Sequence, residues 1–424
     1  MEKFINKERL TKRFLKYAGI DTGSNPEIAE EKIPSTEKQS HFADILSDEL
    51  KELGLKNIYK DEHAFVYATL PKNSSKNLPI IGLFAHMDTN SDVPTGPVYP
   101  QIHDYKQGDI KLKNDVFISE DDLRPFKGHK VITSDGTTLL GADDKAGIAE
   151  ILEAICVLKE NSDIEYPEIQ IVFTPDEETG MGIGTFDINK ICVDFAYTVD
   201  GSAPSHIDTE TFNAYNPEIT IDGKVVHCGY AYNKMTNALL VANDFISKLP
   251  KNETPETTKD KEGYYFVSDI SGNANSVKIK MLVRDFDKNK ILKRIEFLKS
   301  IISDLEKQYP DAKISFLPNK RYSNMKEKLK EFSEVVEFAK EGIKLSGLEP
   351  KEMSVRGGTD GSQLTLRGLL TPNLGAGGVN FHSTSEFVTV ETMQKCTENI
   401  LNIIKVWTEK SETIMPKIEN IRKN

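Results

Sequence analysis

Five residues of this sequence offer the nitrogen and oxygen donors that bind a transition metal: His86, Asp143, Glu178, Asp200 and His382. Three of them stand directly behind apolar runs. His86-Met87-Asp88 follows Ile80-Ile81-Gly82-Leu83-Phe84-Ala85, Asp176-Glu177-Glu178 follows Ile169 to Thr174 and Pro175, and Asp200 follows Ala196-Tyr197-Thr198-Val199. Short continuous runs of this kind read as strands buried on both faces. In open α/β sheets, ligands bind just beyond the carboxyl ends of such strands.

Each motif carries a chemical argument. His86 and Asp88 are two residues apart and point to one side of an extended chain, so the Asp88 carboxylate is placed to orient a metal-binding imidazole. Asp143-Asp144 opens a helix within Gly141 to Gly147. Asp144 is expected to cap it, which frees the two oxygens of Asp143 to bridge two cations about 3.5 to 4 Å apart. Three adjacent acids at a buried sheet edge would be costly unless cations sit nearby. If Glu178 binds metal, Glu177 is free to take a proton from water. Asp176 receives no role. His382 follows Gly375-Ala376-Gly377-Gly378, a flexible loop able to carry the imidazole to the same edge. With Asp143 bridging, these residues give each of two ions three protein ligands. Imidazole with carboxylate suits zinc, with manganese and cobalt compatible by ligand type. Gly180-Met181-Gly182-Ile183-Gly184 lacks the spacing of a dinucleotide loop and follows three acids that would repel a pyrophosphate.

The elements that position these residues are also visible. Thr36-Glu37-Lys38-Gln39 has the form of a capping box, and Phe42, Ile45, Leu46, Leu50 and Leu53 then recur at helical spacing up to Gly54. Ile148, Ile151, Leu152 and Ile155 mark a second helix between the first two strands. From about residue 213 the pattern changes to β-α-β-β-α-β, the order of a ferredoxin-like domain. Helical patterning resumes around Val335 to Leu345 and Val390 to Thr408. Residues 101 to 130 and the tail beyond Thr408 read as surface loop and frayed end. The expected architecture is α/β: a three-layer, mostly parallel sheet domain (1–212 and 321–424) with an inserted ferredoxin-like α+β lid (213–320).

A length of 424 residues suggests two or three domains, and 38% hydrophobic with 28% charged residues excludes the disordered and membrane classes. Cys156, Cys192, Cys228 and Cys396 are isolated, without the spacing of a disulfide framework or a Cys-rich zinc site. No stretch approaches the roughly 18 apolar residues of a membrane span, and Met1-Glu2-Lys3-Phe4 begins no apolar signal core. A cytoplasmic address is expected. The net charge of −12 opposes partnership with nucleic acid or anionic membranes.

The blocks His86 to Thr89 (HMDT), Thr137 to Ile151 (TTLLGADDKAGIAEI), Phe173 to Gly180 (FTPDEETG), Tyr197 to Gly201 (YTVDG), Val283 to Asp287 (VRDFD) and Arg356 to Gly361 (RGGTDG) resemble metallopeptidase family M20. Within it, the resemblance is to enzymes that remove the N-terminal residue of tripeptides. It implies a two-zinc site with His86 and Asp200 on one ion, Glu178 and His382 on the other, and Asp143 shared. Glu177 would be the general base toward a zinc-activated water and Asp88 the orienter of His86. The inserted domain would be a lid whose His227 reaches the scissile carbonyl, with Arg284 and Arg356 for the substrate carboxylate. Two positions depart from the family pattern: Cys228 stands where proline follows the lid histidine, and Ser383 where glycine follows the last metal histidine. The alternatives are another M20-type dipeptidase, carboxypeptidase or N-acyl amino acid hydrolase and, in a different class, a non-catalytic peptide-binding protein. The partners implied are small peptides, with monomer and homodimer both open.

Overall fold

The three apolar runs become the middle of an eight-stranded sheet. In the computed structural model, which describes residues 1–423, Ile81–His86 lies between Ile169–Thr174 and Phe195–Gly201 and runs parallel to both. Asn373–Gly375 continues the parallel set beyond Phe195–Gly201. Both flanks turn antiparallel: Val66–Leu70 and then Lys56–Lys60 on one side, His206–Thr211 on the other, with Lys351–Val355 outermost. The parallel character thus belongs to the four central strands. It has one consequence for chemistry. His86 is registered opposite Thr174, so His86-Met87-Asp88 and Pro175-Asp176-Glu177-Glu178 leave the sheet side by side.

This sheet belongs to a unit of Met1–Thr209, Lys328–Met353 and the residues from Thr359 onward. Period-two alternation splits its strands between two cores. Leu83 and Ala85 join a large cluster with Leu10 and Phe14 of helix Lys7–Ala18, Phe42 and Leu46 of helix Glu37–Glu52, and Leu401 of helix Val390–Glu409. Phe84, from the same strand, packs instead with Phe186, Ile183 and Leu364 on the opposite face. Helix Ala142–Glu160 buries Ile148, Ile151, Leu152 and Ile155 completely. Each contributes about 1.5 to 3 kcal/mol of burial. Gly147 permits that approach: a Cβ there would collide with the Val199 carbonyl oxygen.

The second unit, Glu210–Glu327 with Ser354–Gly358, holds the β-α-β-β-α-β order. Its elements are Glu218–Asp222, Ala238–Ser247, Tyr264–Gly272, Ser276–Asp285, Lys288–Gln308 and Lys313–Leu317. Ser276–Asp285 pairs antiparallel with both Glu218–Asp222 and Tyr264–Gly272, and Lys313–Leu317 adds to Glu218–Asp222. Ile219, Ile221, Val277, Ile279, Met281 and Val283 face the two helices, while the intervening Lys278 and Lys280 are exposed. Asn213–Tyr215 and Lys320–Tyr322 extend the sheet with two short strands outside the expected pattern.

Four local expectations fail. Residues 101 to 130 are not plain loop. They form the short strands Gln101–Asp104, Ile110–Lys111 and Phe117–Ile118 and the helix Glu120–Leu123 around a small core of Tyr105, Ile110, Leu112, Ile118 and Leu123. Two- to four-residue strands are too short to show a period. The tail forms helix Ser411–Lys423, seating Ile414, Met415 and Ile418 in the main core. Thr36 makes no side-chain cap to its helix: its hydroxyl donates to Gly23 O and faces the Gln39 amide, and Asp144 caps nothing. Among the described residues no helix is long and apolar enough to cross a membrane.

Candidate metal centre

At the carboxyl edge of the central strands the structure brings His86, Asp143, Glu178, Asp200 and His382 together. His86 Nε2 lies 2.8 Å from Asp143 Oδ1 and 3.4 Å from Asp200 Oδ1. His382 Nε2 lies 3.4 Å from Asp143 Oδ2 and 3.1 Å from Glu178 Oε2. Asp143 therefore turns one oxygen to each imidazole. Donor atoms of His86, Asp143 and Glu178 fall within 4.8 Å of one another, as do those of His86, Asp144 and Asp200. The second grouping adds Asp144, which the sequence reading treated as a helix cap. Its Oδ2 accepts from the His86 backbone N–H at 3.2 Å, and its Oδ1 is buried without a partner.

Asp88 acts on His86 mainly through its backbone. His86 Nδ1 is 3.0 Å from the Asp88 carbonyl oxygen and 3.4 Å from its carboxylate. An Nδ1–H donor at that carbonyl leaves the Nε2 lone pair free for a cation held between the imidazole and the acids. The Asp88 carboxylate instead accepts the N–H groups of Glu177 at 3.0 Å and Glu178 at 3.2 Å, so it fixes the acid run. The expected side-chain contact to the imidazole is present but longer than the carbonyl bond, and the same carboxylate also serves two backbone donors.

Several buried groups that sequence reasoning missed hold the edge in shape. Glu386 accepts from the N–H groups of Leu140 and Gly141, both at 2.8 Å, and of Asp143 at 3.0 Å. It stands four residues after His382, as an acid directly before the apolar Phe387-Val388, and that placement was the available signal. Asn373 Oδ1 accepts from Thr198 Oγ1 at 2.9 Å and the Asp200 N–H at 3.1 Å, and its amide donates to Asp208 at 2.8 Å. Asn90 Nδ2 donates to Glu178 Oε2 at 3.2 Å. Asp360, fully inside, accepts from Thr174 Oγ1 at 2.6 Å.

Electrostatics single out the same edge. Burial, followed by the neighbouring carboxylates, raises Asp200, Glu177 and Glu178 above the usual carboxylate range. Burial pushes Asp360 and Glu386 up to about 7. Asp143 and Glu178 hold His382 up to about 11. For Asp143, burial is outweighed by the two imidazoles, and its carboxyl is held low. Three carboxylates and two imidazoles thus face one another, and Glu178 Oε1 is buried with no hydrogen-bond partner. This donor chemistry, oxygen and imidazole nitrogen around a bridging carboxylate, fits a pair of divalent cations.

His227, Arg284 and Arg356 lie in the second unit. His227 is on an exposed loop, where its Nδ1 accepts from the Gly229 N–H at 3.2 Å. Arg284 Nη1 donates to Tyr215 O, Asn216 Oδ1 and Val283 O at 2.8 to 3.1 Å. Arg356 donates to Asp260 O, Glu262 O and Thr258 Oγ1, each at 2.9 Å, and stacks over Phe212 and Tyr264.

Comparison with known proteins points in one direction. Residues 115–406 match the model of peptidase family M20/M25/M40. The chain is 43% identical over 411 residues to Peptidase T of Geobacillus thermodenitrificans (strain NG80-2), covering 96% of this chain and 100% of that protein. Among solved structures, it is similar to aminopeptidase PepT from Bacillus cereus ATCC 10987, with TM-score 0.75, 26% identity, and 96% and 100% of the two chains covered. A tripeptidase from Staphylococcus aureus subsp. aureus Mu50 gives TM-score 0.76 at 25% identity with the same coverage.

Proposed function

The chain belongs to peptidase family M20/M25/M40, and on that premise we propose that it is a two-zinc aminopeptidase releasing the N-terminal residue of tripeptides. The observation that carries the proposal is Asp143, whose two oxygens face the two imidazoles with Glu177 alongside. His86, Asp200 and Asp143 would hold one ion, and His382, Glu178 and Asp143 the other. Zinc suits these donors, and manganese or cobalt would share them. When bound, the ions supply Lewis acidity toward the peptide carbonyl and the attacking water.

The chain's own residues do the rest. Glu177 belongs to neither ligand set, and its backbone is fixed by Asp88. Burial and the nearby Asp200 and Asp360 raise its proton affinity, as a base working near neutrality requires. It accepts the water proton and delivers it to the departing amine. Asp88 orients His86 through its carbonyl and the acid run through its carboxylate. His227, Arg284 and Arg356 are the proposed peptide-binding groups, the arginines already oriented by carbonyls of their own unit. The names Peptidase T, aminopeptidase and tripeptidase among similar proteins support the tripeptide reading.

The test is Glu177→Ala assayed against tripeptides, dipeptides and N-blocked peptides. We expect two metals per chain retained, turnover down by roughly 10² to 10⁴-fold, and tripeptides with a free amine preferred in the parent enzyme. Near-normal turnover in the metal-loaded variant would sink the base assignment. Efficient cleavage of blocked peptides would move the chain to another M20 activity, and no cleavage at all to a peptide-binding role.

A further inference from the structure

Asp176 is the one member of the acid run without a part in this chemistry, yet it is completely buried and more tightly held than its neighbours. Its carboxylate accepts from the Ser35 N–H at 2.6 Å, from the Ser35 hydroxyl, and from Gln39 Nε2 at 2.8 Å. Its own N–H donates back to Gln39 Oε1 at 3.0 Å. Residue 176 and the Gln39 amide thus form a closed two-point pair. Ser35 and Gln39 are themselves buried, and Ser35 Oγ accepts from the Asn25 N–H at 2.9 Å. Gln39 is therefore drawn away from the reciprocal bond of a capping box to serve residue 176.

The pair also has a directional effect. Asp176 has φ of +53°, a left-handed conformation that L residues with a side chain avoid and Asp tolerates better than most. There the chain reverses, so the Asp176 carboxylate points toward helix Glu37–Glu52. The next two N–H groups, of Glu177 and Glu178, point to Asp88. Three successive backbone donors are each taken by a buried side chain from two different elements. Released from Gln39 and Ser35, residue 176 would keep only its carbonyl bonds, from Thr179 Oγ1 at 2.9 Å and the Gly182 N–H at 3.1 Å, and the loss of its side-chain anchor would let the two functional carboxylates shift.

We propose that Asp176, Ser35 and Gln39 form a latch of positioning residues that sets the direction of Glu177 and Glu178 from outside the metal-binding shell. The proposal rests on reading Glu177 as base and Glu178 as ligand. It makes a specific exchange possible. In Asp176→Asn, the new amide faces the Gln39 amide and the pair is mismatched. Adding Gln39→Glu restores it with donor and acceptor reversed: the side-chain amide introduced at position 176 donates to the carboxylate introduced at position 39, and that carboxylate still accepts the backbone N–H of residue 176. The total charge equals that of the parent.

Rates are measured per folded, metal-loaded molecule, with KM, metal content and thermal midpoint alongside. Asp176→Asn should lower kcat by roughly 10- to 100-fold with KM changed by less than about twofold, the scale seen when partners of metal ligands are removed. Asp176→Asn/Gln39→Glu should recover to within about fivefold of the parent. Ser35→Ala, which removes one donor and leaves the pair, should lower kcat by about 3- to 10-fold and serves if Asp176→Asn does not fold. A parental rate per folded molecule in both single variants would overturn the latch and leave Asp176 a purely stabilising residue. A double variant as slow as Asp176→Asn would also overturn it, because the charge at 176 would then matter and not the pairing. An active Glu177→Ala protein would instead remove the underlying base assignment, whatever the latch variants do.

Discussion

The two units treat charge in opposite ways. In the second, buried or half-buried charges meet complementary groups: Glu210 accepts from Lys261 Nζ, Lys326 Nζ and Ser354 Oγ, Arg294 is paired with Asp285 and Glu253, and Arg284 donates to neutral oxygens. At the strand edge of the first, carboxylates face other carboxylates, and Asp144 and Glu178 keep buried oxygens without partners. Matched charges are what folding alone requires. Convergent like charges destabilise a fold unless a cation joins them, so this contrast separates the candidate site from the frame.

The contrast breaks most sharply at Asp143. Asp143→Asn should cut turnover by more than about 100-fold, beyond the usual effect of an outer partner, and lower the metal content measured by atomic absorption. Glu210→Gln in the second unit should lower the thermal midpoint and leave metal content unchanged. If Asp143→Asn kept two metals and full activity, the bridging assignment would be wrong.

Metal removal should separate the units energetically. Saturating metal stabilises only the state that binds it, by about 2.7 kcal/mol at 100 times Kd. Calorimetry after chelation should therefore show an earlier transition for the first unit and an unmoved one for the second.

The pH response should have opposite signs in the chelated protein. Glu386 and Asp360 are raised from 4.5 and 3.8 to about 7. The folded form holds their protons more tightly, so the stability they contribute is present below those ordinary values and is lost as pH rises through about 7. Glu210 is lowered from 4.5 to about 2: burial opposes ionisation, but Lys261 and Lys326 outweigh it. Its contribution is present above 4.5 and lost as pH falls toward 2. Chelated protein should thus gain first-unit stability between about pH 7.5 and about 5 and lose second-unit stability below about pH 4. A common pH dependence of both transitions would erase the distinction.

The smallest effect is expected at Arg284→Lys, where a shorter-reaching ammonium replaces the Nη1 group that faces three acceptors. The second unit should lose about 1 to 2 kcal/mol in denaturant unfolding, with metal binding unaffected.

Much of this was legible in the chain. The strands preceding His86, Glu178 and Asp200 were readable because a strand buried on both faces needs an unbroken apolar run. The insertion was readable because Ile219 and Ile221 alternate with polar residues, as a half-exposed sheet demands. The region from 101 to 130 and the tail were misread because two-residue strands carry no period, and because Ile414, Met415 and Ile418 bury their faces only once the core exists to receive them.

Sequence by itself determined which residues carry donors and which strand ends present them, since both follow from local residue type and periodicity. Only the tertiary structure decided who supports whom. Glu386 reaches back 243 positions to the Asp143 turn, Gln39 forward 137 to Asp176, and the Asp88 carboxylate, beside His86, also takes the backbone N–H groups of the acid run. A hydrogen bond between distant segments depends on where folding brings two backbones together. No spacing along one chain encodes that.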